Sequence, residues 1–145
     1  MTLPSFWRQA AFSVAESAEI LDVPEDTLRT WMAREPTAQY IGSKTGGRVF
    51  LSGQDIYFYA LVREFAAYGV PIRTAMLCAD GIASASTHDL PPEKYIIVRN
   101  SGAVSNFKQT NDPTVDDRPA LVIPLRVLAS TLIERCTATY TRESV

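Results

Sequence analysis

The chain has 145 residues, of which 46% are hydrophobic and 21% charged, with a formal charge of −2. These values predict a folded core in one ordinary domain or two small ones, and they exclude the globally basic footprint of many nucleic-acid binders. Residues 1–80 hold seven Lys/Arg against nine Asp/Glu, so any contact with nucleic acid has to rest on a local patch.

The opening stretch, "MTLPSFWRQAAF", has no long apolar run behind a basic end, so no signal peptide is expected. No run anywhere approaches the ~18 apolar residues of a membrane helix. The cytoplasm is therefore the expected compartment, with no membrane partner. Ser13-Val14-Ala15-Glu16 reads as a capping box in front of a helix. Val14, Ala18 and Leu21 then share one helical face. The helix should stop near Asp22, because Pro24 biases Val23 away from helical angles. Pro24 can open a second helix, and Glu25 and Asp26 suit the positive end of its dipole. Leu28, Trp31 and Met32 form the inner face of that helix, with Trp31 expected as a core anchor. Thr27, Arg29, Thr30 and Arg34 are left outside. Two short helices with a tight break between them have the spacing of a helix-turn-helix.

Pro36 should end the second helix near Glu35. In "QYIGSKTGGRVFL", Tyr40-Ile41 and Arg48–Leu51 read as strands of a hairpin whose turn carries Lys44. Ser52 and Asp55 suggest a cap for a helix running to about Tyr68, with Ile56, Tyr59, Ala60, Val62 and Phe65 inward. Tyr57, Phe58 and Tyr59 cannot all face one core from one helix face, so one of them is expected at the surface. Gly69 looks like a stop signal, and Pro71 starts a fourth helix with Ile72, Ala75, Met76 and Ala79 inward.

"DGIASASTHDLPPE", Asp80 to Glu93, is small, polar and proline-rich, and reads as a linker. Beyond it "KYIIVRN" and "AVSNFKQ" flank Ser101-Gly102 as a hairpin. "TNDPTVDDRP" is a polar loop and "ALVI" a short strand. From Pro124 onward Leu125, Leu128, Ala129, Leu132, Ile133 and Cys136 keep helical spacing. The resulting division is residues 1–80, a linker over 81–93, and a small α+β module over 94–145. Leu125, Leu128, Leu132 and Ile133 form an apolar stripe expected to make a homodimer or to bind a protein partner, and strand Tyr95–Asn100 offers an edge for pairing with its symmetry mate. The lone His88 stands beside Asp89 in the linker, where catalytic geometry is rarely held. Cys78 and Cys136 are far apart, with no C-x-x-C. No cofactor, metal site or enzymatic activity is expected.

The N-terminal order is helix, turn, helix, hairpin, helix, glycine, helix. With "FSVAESAEILDVPEDTLRTW", "GGRVFLSGQDI" and "YGVPI", residues 11–78 resemble the DNA-binding domain of the MerR family and the related excisionase-like winged helices. The resemblance implies an α+β chain with an N-terminal winged helix-turn-helix. It implies that the helix from Pro24 to about Glu35 enters a major groove of double-stranded DNA. Arg29 in "TLRTW" and Arg48 in "GGRVF" would then contact phosphate, with Thr27, Thr30 and Arg34 on the same face and Lys44 on the wing. A guanidinium offers phosphate a planar fork of donors, and short hydroxyls reach phosphate or base edges. The acids Glu25 and Asp26 would either limit how deeply the helix enters or read cytosine amino groups. The chain departs from the family after residue 80, where no long dimerisation helix follows directly. The function expected is a homodimeric transcriptional regulator. The alternatives are an architectural mobile-element protein, of the excisionase or phage packaging subunit type, or a protein–protein adaptor built on the same winged helix.

Overall fold

The computed structural model describes residues 2–34, 38–90, 94–101 and 104–143. The chain is α+β, with five α-helices and two small antiparallel three-stranded sheets among the described residues. Strand β1 (Phe12–Ser13) leads into α1 (Val14–Leu21) and α2 (Glu25–Met32). A hairpin of β2 (Ser43–Thr45) and β3 (Arg48–Leu51) follows, then α3 (Gly53–Ala67) and α4 (Ile72–Ser84). Strands β4 (Tyr95–Ser101), β5 (Val104–Thr110) and β6 (Leu121–Pro124) precede the last helix, α5 (Leu125–Glu143). The first sheet has the order β1-β3-β2 and the second β5-β4-β6. No described helix is long and apolar enough to cross a membrane.

Helix α3 is the axis of the core. Its capping box pairs Ser52 with Asp55: each side chain takes the other residue's backbone N–H, at 3.1 and 2.9 Å. The seven residues from Ile56 to Val62 are all fully buried. The expectation that one of Tyr57, Phe58 and Tyr59 reaches the surface is therefore wrong. It assumed a helix with a single covered face, whereas α3 is covered all round from Ile56 to Val62. Trp7 of the N-terminal segment lies 5.6 Å from Tyr57, Tyr40 stacks on Phe58 at 4.0 Å, and Tyr59 donates to the Tyr40 carbonyl at 3.1 Å. Gly69, with φ of +96°, ends the helix as read, and Val70 N–H closes back on Phe65.

Several boundaries shift. Tyr40 belongs to a single 3₁₀ turn (Ala38–Tyr40) rather than a strand, and its hydroxyl donates to Asp80 of α4 at 2.9 Å. The expected linker starts inside a helix, because α4 continues to Ser84. The chain after it is packed too. Ser86 and Leu90 are buried, and the Ser86 carbonyl accepts the indole N–H of Trp7 at 2.7 Å. Residues 91–93 lie outside the described part. Small residues such as Ala83 and Ser86 let this segment approach α3 closely, which composition alone reads as a loop.

Half of the expected self-association face is covered within the chain. Leu125 and Leu132 are buried in the same core cluster as α1 and α3, and Leu128 and Ile133 are half-buried against it. Strand β4 is not an edge. It pairs with β5 along its whole length and with β6 from Tyr95 to Val98. The edges of this sheet are β5 and β6. Phe107 of β5 meets Phe65 of α3 edge-on at 5.3 Å, which joins the second sheet to the central helix.

Candidate functional site

The expected contact residues come from α2 and its end and from the β2–β3 hairpin, and Ser13 ties that hairpin to α1, the helix that precedes α2. It is the last residue of β1, paired with Phe50 of β3, and it is also the N-cap of α1. Its hydroxyl accepts Glu16 N–H at 3.1 Å while the Glu16 carboxylate accepts Ser13 N–H at 2.8 Å, so the capping box is complete. The start of α1 is thereby fixed to the strand that carries Arg48.

The far end of α1 is fixed as firmly. Asp22 takes the left-handed conformation, with φ of 55°, and Val23 N–H returns to the Ala18 carbonyl at 3.1 Å. The chain reverses in three residues and α2 begins. Two arginines distant in sequence then cap the last turn of α1. Arg63 of α3 donates to the Leu21 carbonyl at 2.6 Å, and Arg135 of α5 donates to the Ile20 carbonyl at 2.9 Å. Cations suit this negative end of the helix dipole.

Helix α2 buries only Leu28 completely; Trp31 and Met32 are half-buried against the core. Arg29 and Thr30 are exposed and Thr27 is half-buried. The helix is shorter than expected, ending at Met32, so Arg34 sits just beyond it and is exposed. Arg29 is not a bare cation. Its Nε donates to the Glu25 carboxylate, one turn earlier, at 2.8 Å. The Thr30 hydroxyl donates to the Asp26 carbonyl of its own helix at 2.8 Å.

The β2–β3 hairpin turns through Gly46 and Gly47, both with positive φ (60° and 79°), as a two-residue hairpin turn requires. At its base Gly42 is held so tightly that an added Cβ would lie 2.4 Å from the Phe50 carbonyl oxygen. The register pairs Thr45 with Arg48 and Lys44 with Val49. Alternation therefore puts Lys44 and Arg48 on opposite faces of the hairpin, although both are exposed. Arg48 lies over the Phe50 ring, 5.6 Å from its centroid.

Arg29 and Arg48 line one hollow of about 240 Å³, together with Ser13, Val14 and Ala15 at the start of α1. Lys44, Thr27, Thr30 and Arg34 do not line it. A second, open concavity of about 730 Å³ lies between the N-terminal segment and residues 87–89. There Arg8 Nη1 comes within 3.4 Å of His88 Nδ1. Among the described residues no group of three His, Cys, Asp or Glu side chains could hold a metal ion. Burial pushes the thiols of Cys78 and Cys136 up to about 12, well above the range of a reactive thiolate.

No protein-family model matches the chain, and no curated protein and no solved structure is significantly similar to it. The sequence reading also missed residues that shape the site. The Glu25–Arg29 pair was visible as an i, i+4 spacing of opposite charges. The caps by Arg63 and Arg135 carried no local signal, since their partners lie 42 and 115 residues away.

Proposed function

We propose that the chain is a double-stranded DNA-binding regulator of the winged helix-turn-helix type. In this reading α2 is the recognition helix, lying in the major groove, and the β2–β3 hairpin is the wing. Arg29 and Arg48 hold backbone phosphate on either side of the first turn of α1. One observation carries the reading. Two arginines 19 positions apart in sequence line a single hollow beside a helix that has one fully buried residue. Thr27 and Thr30 are left to meet base edges or phosphate, and Arg34 and Lys44 flank the contact. The residues of the hollow suit phosphate, because guanidinium groups bind it through paired donors and a helix start adds a positive field.

A single copy makes few phosphate contacts, so occupancy by two copies at half-sites about 34–36 Å apart fits the reading. Of the α5 stripe, Leu125 and Leu132 are buried in their own chain, so only Leu128 and Ile133 are left partly open to a second copy. An adaptor reading has one feature in its favour: an apolar hollow of about 290 Å³ beside the edge strand β6, lined by Leu121, Val122, Val127 and Leu128.

The salt dependence of duplex binding separates the two. A DNA binder should lose affinity steeply with salt, and Arg29→Ala/Arg48→Ala should weaken binding and lower the slope by about two units. Binding that ignores salt, or a double variant with unchanged affinity and an unchanged circular dichroism spectrum, would remove this function.

A further inference from the structure

The following inference rests on the DNA-binding reading. We propose that Glu25 is a specificity-determining residue of the α2 face. It holds Arg29 for one phosphate geometry and penalises the others.

Glu25 Oε2 accepts from Arg29 Nε at 2.8 Å, and both side chains are largely open to solvent, at 42% and 56% exposure. An ion pair this exposed adds little to stability. Dipole compensation does not require this residue either, because Asp26 stands beside it in the same first turn. The pair has a geometric consequence instead. With Nε engaged, the guanidinium keeps its two terminal nitrogens, which make no hydrogen bond to protein among the described residues. That edge is the fork that grips two phosphate oxygens at once. Arg29 also lines the hollow shared with Arg48, so a phosphate seated there meets a fork already oriented. A phosphate arriving from the Nε side meets a carboxylate instead, and like charges at that range repel.

Glu25 therefore lowers the affinity of loose, sequence-independent encounters more than that of the docked complex. Specificity is a difference of two affinities, and a repulsive group that acts mainly on the wrong complex widens it. The acid that looks out of place on a DNA-facing helix thus has a task there.

Glu25→Gln tests this in the full chain, since glutamine retains an acceptor oxygen and removes the charge. The probes are a duplex selected from a random pool by the purified wild type and a random-sequence duplex of equal length. Random-duplex affinity should rise about fivefold at about 50 mM salt, with a slope steeper by about one unit. Affinity for the selected duplex should rise less, so the ratio of the two falls. In an Arg29→Ala background Glu25→Gln should raise both affinities alike and leave their ratio unchanged. If Glu25→Gln leaves ratio and slope at wild-type values while Arg29→Ala still weakens binding, Glu25 is only a helix-start acid and the inference fails. If the wild type binds neither duplex, the DNA-binding reading falls and takes this inference with it.

Discussion

Helices α2 and α3 both open with acids near the N-terminus, yet the protein uses them in opposite ways. Helix α2 has one fully buried residue, Leu28, and presents Arg29 and Thr30 to solvent. Helix α3 has nine buried residues, and the N-terminal segment, the Tyr40 turn, α1, α4 and α5 are all packed on it or beside it. The middle of α3, Ile56 to Val62, is surrounded on every side and can only hold other elements in place. A helix attached along one narrow stripe contributes little to the core but can offer a whole face. In the proposed reading the contact chemistry falls on α2, which is free for it because α3 carries the packing.

The largest test of that contrast is a truncation on the buried helix. Phe58→Ala removes a fully buried ring stacked on Tyr40. It should destabilise the fold by about 3–5 kcal/mol, read as the shift of a urea midpoint. A loss below about 1 kcal/mol would mean that the site collapses easily and that α3 is not the rigid axis described.

The links between scaffold and contact helix should cost less. Arg135→Met keeps the aliphatic stem but removes the donor to the Ile20 carbonyl. Hydrogen bonds from charged groups support an expected loss of about 1–2 kcal/mol, discounted for partial exposure. Amide exchange in α1 and α2 should quicken more than in α3. Uniform quickening would show that α5 supports the whole fold rather than the α1 end in particular.

Acidity sharpens the comparison next. Asp55, at the start of α3, has its carboxyl raised above its ordinary value of 3.8 by burial, against the opposing pull of the Ser52 bonds. The folded state then holds this proton more tightly than the unfolded state does. Its contribution to stability is complete below the ordinary value and declines as pH rises through the raised one. Asp55→Asn cannot ionise, so its melting temperature should gain on the wild type as pH rises from the ordinary carboxyl value of 3.8 through the raised one. A constant gap between the two proteins would show that burial and the cap bonds cancel, and a wild type that gains on the variant would show that the cap bonds outweigh the burial.

The smallest effect on stability should come from the residues that matter most to the proposed function. Arg29→Ala/Arg48→Ala should move stability by no more than about 0.5 kcal/mol, because both side chains are exposed and the Glu25 pair is an open one. Chemical denaturation checks it. A loss comparable with that of Phe58→Ala would turn these arginines into structural residues.

Local chemistry was enough to reveal much of this protein. Ser13 and Glu16, Ser52 and Asp55, and Gly69 mark helix ends because capping groups act within a few residues of the backbone they satisfy. The two glycines at 46 and 47 mark the hairpin because few other residues tolerate two successive positive φ angles. The exposure of Arg29 and Thr30 on α2 followed from helical periodicity, whereas Thr27 is half-buried and Arg34 lies past the end of the helix. What escaped was everything that depends on how many neighbours surround an element. Periodicity tells which side of a helix is apolar, but it cannot tell that the middle of α3 is enclosed on all sides, that α5 turns part of its apolar stripe onto α1 and α3, or that β4 lies between two strands. Nor could it bring Arg135 to the carbonyl of Ile20, or seat Arg29 and Arg48 in one hollow. Those juxtapositions join residues far apart in the chain, so they exist only once the core has fixed every element at once.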